Sequence, residues 1–451
     1  MHDALEMPDP LVIDAPARVA ICPPGSKSIT NRVLLLAALS RGTSIIQNAL
    51  TDADDAQRML TAIDTLGARV TQAPDGSLHI KGVAGRWKQP NAPARLNLGN
   101  AGTATRFLTA ATLLADPDRP PLTIDGNERM RQRPIAELVD ALRSIGARID
   151  YQHNDGFPPL TVHPLLDPSA SEVSFARTAS GQYISAMMLL APFLPDGLTT
   201  RFNEAPTSAA YIDMTLAVLR ECGVNITGSP PDDVTIEPGG IEPFEFEVEP
   251  DASGAVPFWC AAALTKGLTV RTPGIRFTSS QSDARVPMVL RQIGASIEYD
   301  AGGCSVTGTG QLHAIDTDLS SMPDAAMSIA VVAAFAQGVS TLRGLRTLRV
   351  KETDRIAALH HELAKIEVEV EPFNTPDGDE AIRIVPPVGG LKPATDSDTI
   401  HFDTYDDHRM AMSMALVSLR RSHVVINDPD CVAKTYPAFW DDWETLYDAG
   451  A

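Results

Sequence analysis

Lysine and arginine collect at a few short polar strings in a chain that is otherwise strongly acidic. The first string, Pro23-Pro24-Gly25-Ser26-Lys27-Ser28, runs into the helical pattern Ile29-Thr30-Asn31-Arg32-Val33-Leu34-Leu35-Leu36. A turn that feeds a helix start presents unpaired N–H groups and the positive end of the helix dipole, and Lys27 and Arg32 add full charges. That is the outline of a phosphate site. It lacks the Gly-Lys-Ser/Thr order and spacing of a P-loop, which argues against nucleotide hydrolysis. Taken alone, the string fits an ordinary helix with surface cations equally well. The second string, Leu98-Gly99-Asn100-Ala101-Gly102-Thr103-Ala104-Thr105-Arg106, repeats the plan. Gly102 lets backbone approach a ligand closely, and Arg106 follows one turn later.

Five more strings carry polar or charged groups: Arg129-Met130-Arg131-Gln132-Arg133-Pro134, Ser180-Gly181-Gln182, Lys351-Glu352-Thr353-Asp354-Arg355, Asp407-His408-Arg409 and Ala433-Lys434-Thr435. On a helix Lys351 and Arg355 would share a face at i and i+4, mildly unfavourable unless an anion or a carboxylate lies between them. Asp324, in Met322-Pro323-Asp324-Ala325-Ala326, suits a helix cap as well as a catalytic acid. The same holds for Asp406 and Asp407, and His408 suits a structural imidazole. Each string has a bland reading. Together they place several cation-bearing helix starts in one acidic protein, which suits a pair of small substrates carrying several negative charges.

The rest of the composition narrows the field. With 37 Lys plus Arg against 57 Asp plus Glu, the net charge is −20, which disfavours nucleic-acid or anionic-membrane surfaces as partners. Any anion must be captured by a local cationic pocket. The five cysteines (Cys22, Cys222, Cys260, Cys304, Cys431) form no C-x-x-C pair and read as reduced thiols, and the ten histidines show no metal-ligand spacing. The segment from Met1 to Ala20 carries Asp3, Glu6, Asp9 and Asp14 and fits neither a secretory signal nor a transit peptide. Apolar runs such as Val33 to Leu39 and Ile329 to Ala336 are far shorter than the roughly 18 residues of a membrane span. The expectation is a cytoplasmic protein, a monomer, with no membrane partner.

The elements that must position these strings recur along the chain. An amphipathic helix ending in glycine, a β-prone stretch, a polar turn and a second β-prone stretch appear at Ala62 to Gly82, Leu138 to His163, Leu216 to Pro238 and Val289 to Gly308. A fifth copy, Leu359 to Pro386, carries Glu367 where the glycine would stand. The spacing of roughly 70 to 80 residues suits a βαβαββ module, and the glycine suits the left-handed residue that follows a helix. Apolar helical segments lie between the copies at Ile29 to Leu39, Thr105 to Leu114, Tyr183 to Leu190, Ala325 to Ala336 and Met410 to Leu419. The fold class is α/β. At 451 residues the chain exceeds one core, and turn residues at Pro23-Pro24-Gly25 and the acidic stretch Glu245 to Asp251 mark the boundaries. A discontinuous domain over 1–25 plus 249–451 and an inserted domain over 26–248 are expected.

The set of strings, in this order and over about residues 20 to 440, resembles the EPSP synthase family of enolpyruvyl transferases. The matching residues are Pro24-Gly25-Ser26-Lys27-Ser28 with Asn31-Arg32, Gly99 to Ala104 with Arg106, Arg133-Pro134-Ile135, Pro323 to Met327, Arg349 to Arg355, Asp407 to Met412 and Ala433-Lys434-Thr435. The resemblance implies two similar domains, each of three βαβαββ units around packed helices, with the active site in the interdomain cleft and no metal or organic cofactor. It implies contacts to shikimate 3-phosphate from Ser28, Arg32, Ser180, Gln182, Ser208 and Tyr211. It puts Lys27 on both substrates, and Gly102, Arg133, Arg355, Arg409 and Lys434 on phosphoenolpyruvate, with Asn100 and Thr103 shaping that pocket. Asp324, Lys351 and Glu352 would handle protons and orient the acceptor hydroxyl. Three positions depart from many members: Gly181 replaces a second serine, Thr347 an asparagine and Phe107 a proline.

The implied reaction protonates the methylene carbon of phosphoenolpyruvate, attacks C2 with an alcohol, then expels phosphate and a methyl proton. Carboxylates and a lysine can move both protons while cations stabilise the charged groups. Two rivals are a UDP-N-acetylglucosamine enolpyruvyl transferase and a non-catalytic anion-binding regulator on the same scaffold. The first usually carries a reactive cysteine before its arginine-rich segment, and Ala104 to Arg133 contains none. The second gains nothing from Asp324 and Glu352 beside its cations.

Overall fold

One six-element phrase accounts for most of the chain: strand, apolar helix, strand parallel to the first, amphipathic helix, and a hairpin that adds two antiparallel strands. A computed structural model describes residues 4–390 and 398–448. Its contacts divide the chain into two units, Met1–Pro24 with Pro250–Ala451, and Gly25–Glu249.

Two uninterrupted copies build most of the Gly25–Glu249 unit. In one, Ala94–Asn97 lies parallel to Leu122–Asp125, the helix Gly102–Ala111 connects them, and after helix Ala136–Ser144 the hairpin Ile149–Tyr151/Leu160–Val162 completes the sheet. The other runs Glu172–Phe175, helix Gly181–Leu190, Leu198–Phe202, helix Ala209–Glu221 and hairpin Ile226–Thr227/Val234–Ile236. The third copy starts at its helix, Lys27–Leu39, and its missing first strand is supplied by Glu245–Glu247, which pairs parallel to Thr43–Gln47. Both ends of this unit are tied together, with the Ser26 amide donating to the Glu249 carbonyl at 2.8 Å.

The other unit uses the same device. Ala17–Ala20 pairs parallel to Leu268–Pro273, so a strand from the chain start serves the helix Ala252–Leu264, which begins after Pro250. Asp316–Asp318, helix Ala326–Ala334, Ser340–Arg343, helix Arg355–Ala364 and the hairpin Glu369–Asn374/Glu380–Val385 form an uninterrupted copy. The last copy is truncated: Ile400–Phe402 and Val424–Asn427 flank helix His408–Met414, and Ala4–Glu6 pairs antiparallel in place of the hairpin.

Local sequence explains the punctuation. The glycines that end the amphipathic helices adopt left-handed φ angles, +100° at Gly67, +98° at Gly146, +83° at Gly223 and +127° at Gly294, where a Cβ would be strained. Glu367 takes the same conformation at φ +62° despite its side chain. The helices that connect parallel strands are buried almost all round inside their own unit: every residue of Gly102–Ala111, Ala252–Leu264 and Ala326–Ala334 except Ser253 is buried. Their N-termini follow directly from strand ends, which is where the polar strings of the sequence fall. One expectation is corrected here. Lys351 and Glu352 are not helical, because Asp354 caps the helix Arg355–Ala364 by accepting from the Ala357 amide at 3.1 Å. Lys351 and Arg355 therefore do not meet as an i, i+4 pair.

Candidate active site

In the Gly25–Glu249 unit three buried helices begin at Lys27, Gly102 and Gly181, and side chains bridge them. Gln182 Nε2 donates to Thr103 Oγ1 at 3.3 Å, and Ser180 caps its helix by accepting from the Gln182 amide at 3.2 Å. Arg133, from the turn before helix Ala136–Ser144, donates to both the backbone and side-chain oxygens of Asn100, at 3.2 and 3.1 Å. Its guanidinium rests on Gly102, where a Cβ would lie 2.6 Å from Nη2. Only glycine admits that approach. Lys27 Nζ sits 3.1 Å from Asp55 Oδ2, a carboxylate that is almost fully buried.

Arg32 is 2% exposed and donates to Thr215 Oγ1 at 2.9 Å, the Ser28 carbonyl at 2.7 Å, the Tyr211 carbonyl at 3.1 Å and Ser185 Oγ at 3.4 Å. All four acceptors are neutral, and among the described residues no carboxylate pairs with it. Burial lowers its pKa to about 10, so the group remains a cation at neutral pH. A desolvated guanidinium without a counter-ion is costly and favours an incoming anion. The Phe107 ring lies 5.1 Å from its central carbon, a cation–π contact that holds the plane of the group. Thus Phe107, one of the three departures, packs on a candidate site residue.

Gly181 also has a local reason. A Cβ there would come within 2.7 Å of the Thr207 carbonyl oxygen, so the chain before Ser208 packs against bare backbone. Ser208 itself takes a left-handed conformation, φ +53°, to start the helix Ala209–Glu221 that carries Tyr211. The third departure, Thr347, is 7% exposed with a buried hydroxyl that has no hydrogen-bond partner.

In the other unit, acids and bases alternate around Arg355. This residue is 1% exposed and grips Asp407 with two bonds, Nε to Oδ2 at 2.8 Å and Nη2 to Oδ1 at 3.1 Å. Nη1 donates to Asp324 Oδ1 at 2.9 Å and Nη2 to Glu352 Oε2 at 3.1 Å. The chain of charge continues outward: Lys351 Nζ meets Asp324 Oδ1 at 3.1 Å, and Lys434 Nζ meets Glu352 Oε1 at 3.2 Å. Burial pushes the Arg355 pKa down, but Asp407, Glu352 and Asp324 outweigh it and hold the guanidinium charged. Burial likewise works against ionised Asp324, yet Lys351, Arg355 and Arg409 hold its carboxyl well below the usual range. Asp324 lies in the turn Pro323–Ala325 and provides no side-chain cap. Asp407 does cap, accepting from the Arg409 amide at 2.9 Å. Arg409 Nη1 donates to the Ser253 carbonyl at 2.7 Å.

Every sequence-derived site residue therefore falls into one of two sets. Lys27, Ser28, Arg32, Asn100, Gly102, Thr103, Arg133, Ser180, Gln182, Ser208 and Tyr211 belong to one unit. Asp324, Lys351, Glu352, Arg355, Arg409 and Lys434 belong to the other. The sequence does not mark Asp55 as the partner of Lys27, and it leaves Asp407 open between a cap and a catalytic acid without showing that it also pairs with Arg355. A cation that must be buried implies a nearby acid, but no spacing rule names one 28 or 52 residues away. Among the described residues no group of three or more His, Cys, Asp or Glu side chains is arranged to hold a metal ion, and no helix is long and apolar enough to cross a membrane.

The family model described as EPSP synthase (3-phosphoshikimate 1-carboxyvinyltransferase) matches residues 14–443. Curated relatives named 3-phosphoshikimate 1-carboxyvinyltransferase include one from Ralstonia pickettii (strain 12J), 40% identical over 94% of this chain and 96% of the relative. Another, from Thiobacillus denitrificans (strain ATCC 25259 / T1), is 43% identical over 93% of this chain and 94% of the relative. Among solved structures, the EPSP synthase of Acinetobacter baumannii aligns with TM-score 0.75 at 23% identity over 97% of both chains. The enolpyruvyl transferase NikO from Streptomyces tendae aligns with TM-score 0.69 at 16% identity over 97% of this chain and 96% of that one. At such identities these two likenesses speak for the fold, which is that of the enolpyruvyl transferases. With a family model spanning almost the whole sequence and relatives at 40% identity or more along its length, this chain belongs to the EPSP synthase family.

Proposed function

We propose that the chain transfers the enolpyruvyl group of phosphoenolpyruvate to the 5-hydroxyl of shikimate 3-phosphate, releasing phosphate. The observation that carries this reading is the alternation of acids and bases around Arg355, which suits proton transfer beside anion binding, in a chain matched along its length by carboxyvinyltransferases.

Roles follow from charge and burial. The uncompensated Arg32, with Ser28, Ser180, Gln182, Ser208 and Tyr211, suits the phosphate, carboxylate and hydroxyls of shikimate 3-phosphate. Arg133, Arg409 and Lys434, with the helix start at Gly102, suit phosphoenolpyruvate; Asn100 and Thr103 shape that pocket, and Lys27 serves both anions. Arg355 holds three carboxylates in register, so it acts first by positioning. Asp324, kept ionised, is suited to accept a hydrogen bond from the acceptor hydroxyl, with Lys351 beside it. Glu352 lies between two cations and is suited to take and return the proton at the methylene carbon.

The test is phosphate release from phosphoenolpyruvate with shikimate 3-phosphate, without it, and with UDP-N-acetylglucosamine in its place. Release that depends on shikimate 3-phosphate and persists in EDTA supports the reading. Turnover with the UDP-sugar alone, or loss of activity in the chelator, overturns it.

A further inference from the structure

Asp283 has no part in the roles assigned above. It sits in the short turn Ser282–Arg285 that opens helix Val286–Ile293, and it is 2% exposed. Its Oδ2 accepts a short hydrogen bond from the Ser253 hydroxyl, while Oδ1 is buried without a hydrogen-bond partner. The carbonyl of the same serine accepts from Arg409 Nη1, whose Nε is likewise buried and without a partner. An acid and a cation are thus both desolvated, both incompletely bonded, and both fastened to Ser253. Three charged groups act on Asp283 through space, none of them in an ion pair with it: Asp324 from the turn Pro323–Ala325, then Arg409 from helix His408–Met414, then Asp251 from the cap of helix Ala252–Leu264. Arg409 is the one cation in that set.

We propose that Asp283 is a buried counter-charge to Arg409, linked to it through Ser253 as a positioning residue, and that it takes up a proton when an anionic group of phosphoenolpyruvate occupies that arginine. This rests on the reading in which Arg409 binds phosphoenolpyruvate. The proton comes from solvent and forms an O–H bond at the carboxyl. Burial, then Asp324, already pushes the Asp283 pKa up to about 6, against the Ser253 hydrogen bond and, after it, Arg409. An arriving anion cancels the arginine's share of that opposition, so the carboxyl takes up a proton more readily instead of competing for the arginine. Proton uptake is thereby coupled to substrate capture.

Asp283→Asn keeps an oxygen for the Ser253 hydroxyl and removes the charge. The measurement is kcat/KM for phosphoenolpyruvate in variant and wild type at saturating shikimate 3-phosphate. Titration of the substrate cancels in their ratio. The ratio should exceed one by about 3- to 10-fold near pH 8 and fall to one near pH 5.5, because wild-type Asp283 is ionised only at the higher pH. Against a Ser253→Ala background, which removes the hydroxyl bond stabilising the charged form, the fall should begin at higher pH. A ratio independent of pH, or below one throughout, overturns the proposal, since a purely packing role would not titrate. Sulfate, which keeps its charge over this range, extends the test to binding without turnover. Calorimetry in two buffers should show proton uptake on sulfate binding by wild type and none by Asp283→Asn; equal uptake, or none in wild type, overturns the proposal. Failure of wild type to turn over with shikimate 3-phosphate would instead refute the proposed reaction, and the sulfate measurement would still decide the counter-charge.

Discussion

Arg355 and Asp407 form a two-pronged ion pair at 2.8 and 3.1 Å, with both side chains at 1% exposure or less. Removing one partner of such a buried pair leaves an uncompensated charge and costs about 3–5 kcal/mol. Asp407→Ala should therefore lower the unfolding free energy by that amount, read as a lower urea midpoint, and abolish turnover, since Arg355 also sets Asp324 and Glu352. Arg355→Lys should rescue little of either, because an ammonium cannot reproduce the parallel bonds. Denaturation curves and phosphate release on both variants check this. A stable, active Asp407→Ala would remove Arg355 from the hub of the site.

Lys27 separates binding from stability. Its partner Asp55 is buried, with Oδ1 lacking a hydrogen-bond partner, so Lys27→Ala should destabilise the fold by about 1–3 kcal/mol as well as lowering kcat/KM on the order of 100-fold or more. Asp55→Asn in the same chain should restore the stability and not the activity. Recovery of activity in the double variant would assign Lys27 to structure alone. Arg133→Ala should show a comparable kinetic loss, because it removes a buried cation fastened to Asn100.

The raised pKa of Asp283 has a consequence for stability that needs no substrate. The folded protein binds this proton more tightly than the unfolded chain, where the ordinary value is 3.8, so ionisation is a penalty on the fold. That penalty is absent below about pH 3.8, grows as pH rises, and is complete above about pH 6, where it reaches on the order of 3 kcal/mol. Asp283→Asn should be more stable than wild type at about pH 7.5, and the gain should vanish near pH 4. Thermal melts at the two pH values read the difference directly. A gain that does not change with pH would mean that the carboxyl carries no such penalty.

What could be read in advance divides along the range of the interactions. The βαβαββ phrase and its terminal glycines are local patterns, and the left-handed angles at Gly67, Gly146, Gly223 and Gly294 are what such positions require. Glu367 was legible as the odd copy because the rest of its phrase was intact. The helix Ala252–Leu264 escaped notice because it is apolar on every side and carries Pro257, so it shows no amphipathic period. Its first turn holds Ser253, and with it the link to Asp283. Cations at helix starts were visible as strings, and Asp324, Glu352 and Asp407 stood out with them, but which acid pairs with which cation was not visible. Asp55 and Asp283 lie outside the strings and are brought to these cations by tertiary packing, and a single acid in an acidic chain carries no mark of burial. Phe107 stood out only as a departure, until its ring was found against Arg32.

The proton chemistry provides the sharpest test, because the structure treats the two nearby carboxylates differently. Asp324 is held well below the ordinary carboxylate range, burial being outweighed by Lys351, Arg355 and Arg409, so it stays ionised through neutral pH and has no proton to give. Any stability it contributes is present above its unfolded value of 3.8 and is lost only as pH falls through a lower folded value. An acid limb in the rate profile near pH 6 must therefore belong to another group. Glu352 contacts Arg355 through one oxygen and Lys434 through the other, at 3.1 and 3.2 Å, so Glu352→Gln preserves shape and one acceptor oxygen while removing the base. If C3 of phosphoenolpyruvate is protonated reversibly, enzyme in heavy water with both substrates should place deuterium in the vinyl methylene of recovered phosphoenolpyruvate and of product. Glu352→Gln should suppress this exchange and turnover together, by on the order of 100-fold or more, with substrate binding little changed. Asp324→Asn should slow turnover through the acceptor hydroxyl while leaving the fold ion-paired through Arg355 and Asp407. Mass spectrometry of the recovered substrates reads the exchange. Normal deuterium incorporation in Glu352→Gln would move the proton role to another group, with Lys27 the first to examine, and normal turnover in Asp324→Asn would leave that carboxylate as a partner of Arg355 and Lys351 only.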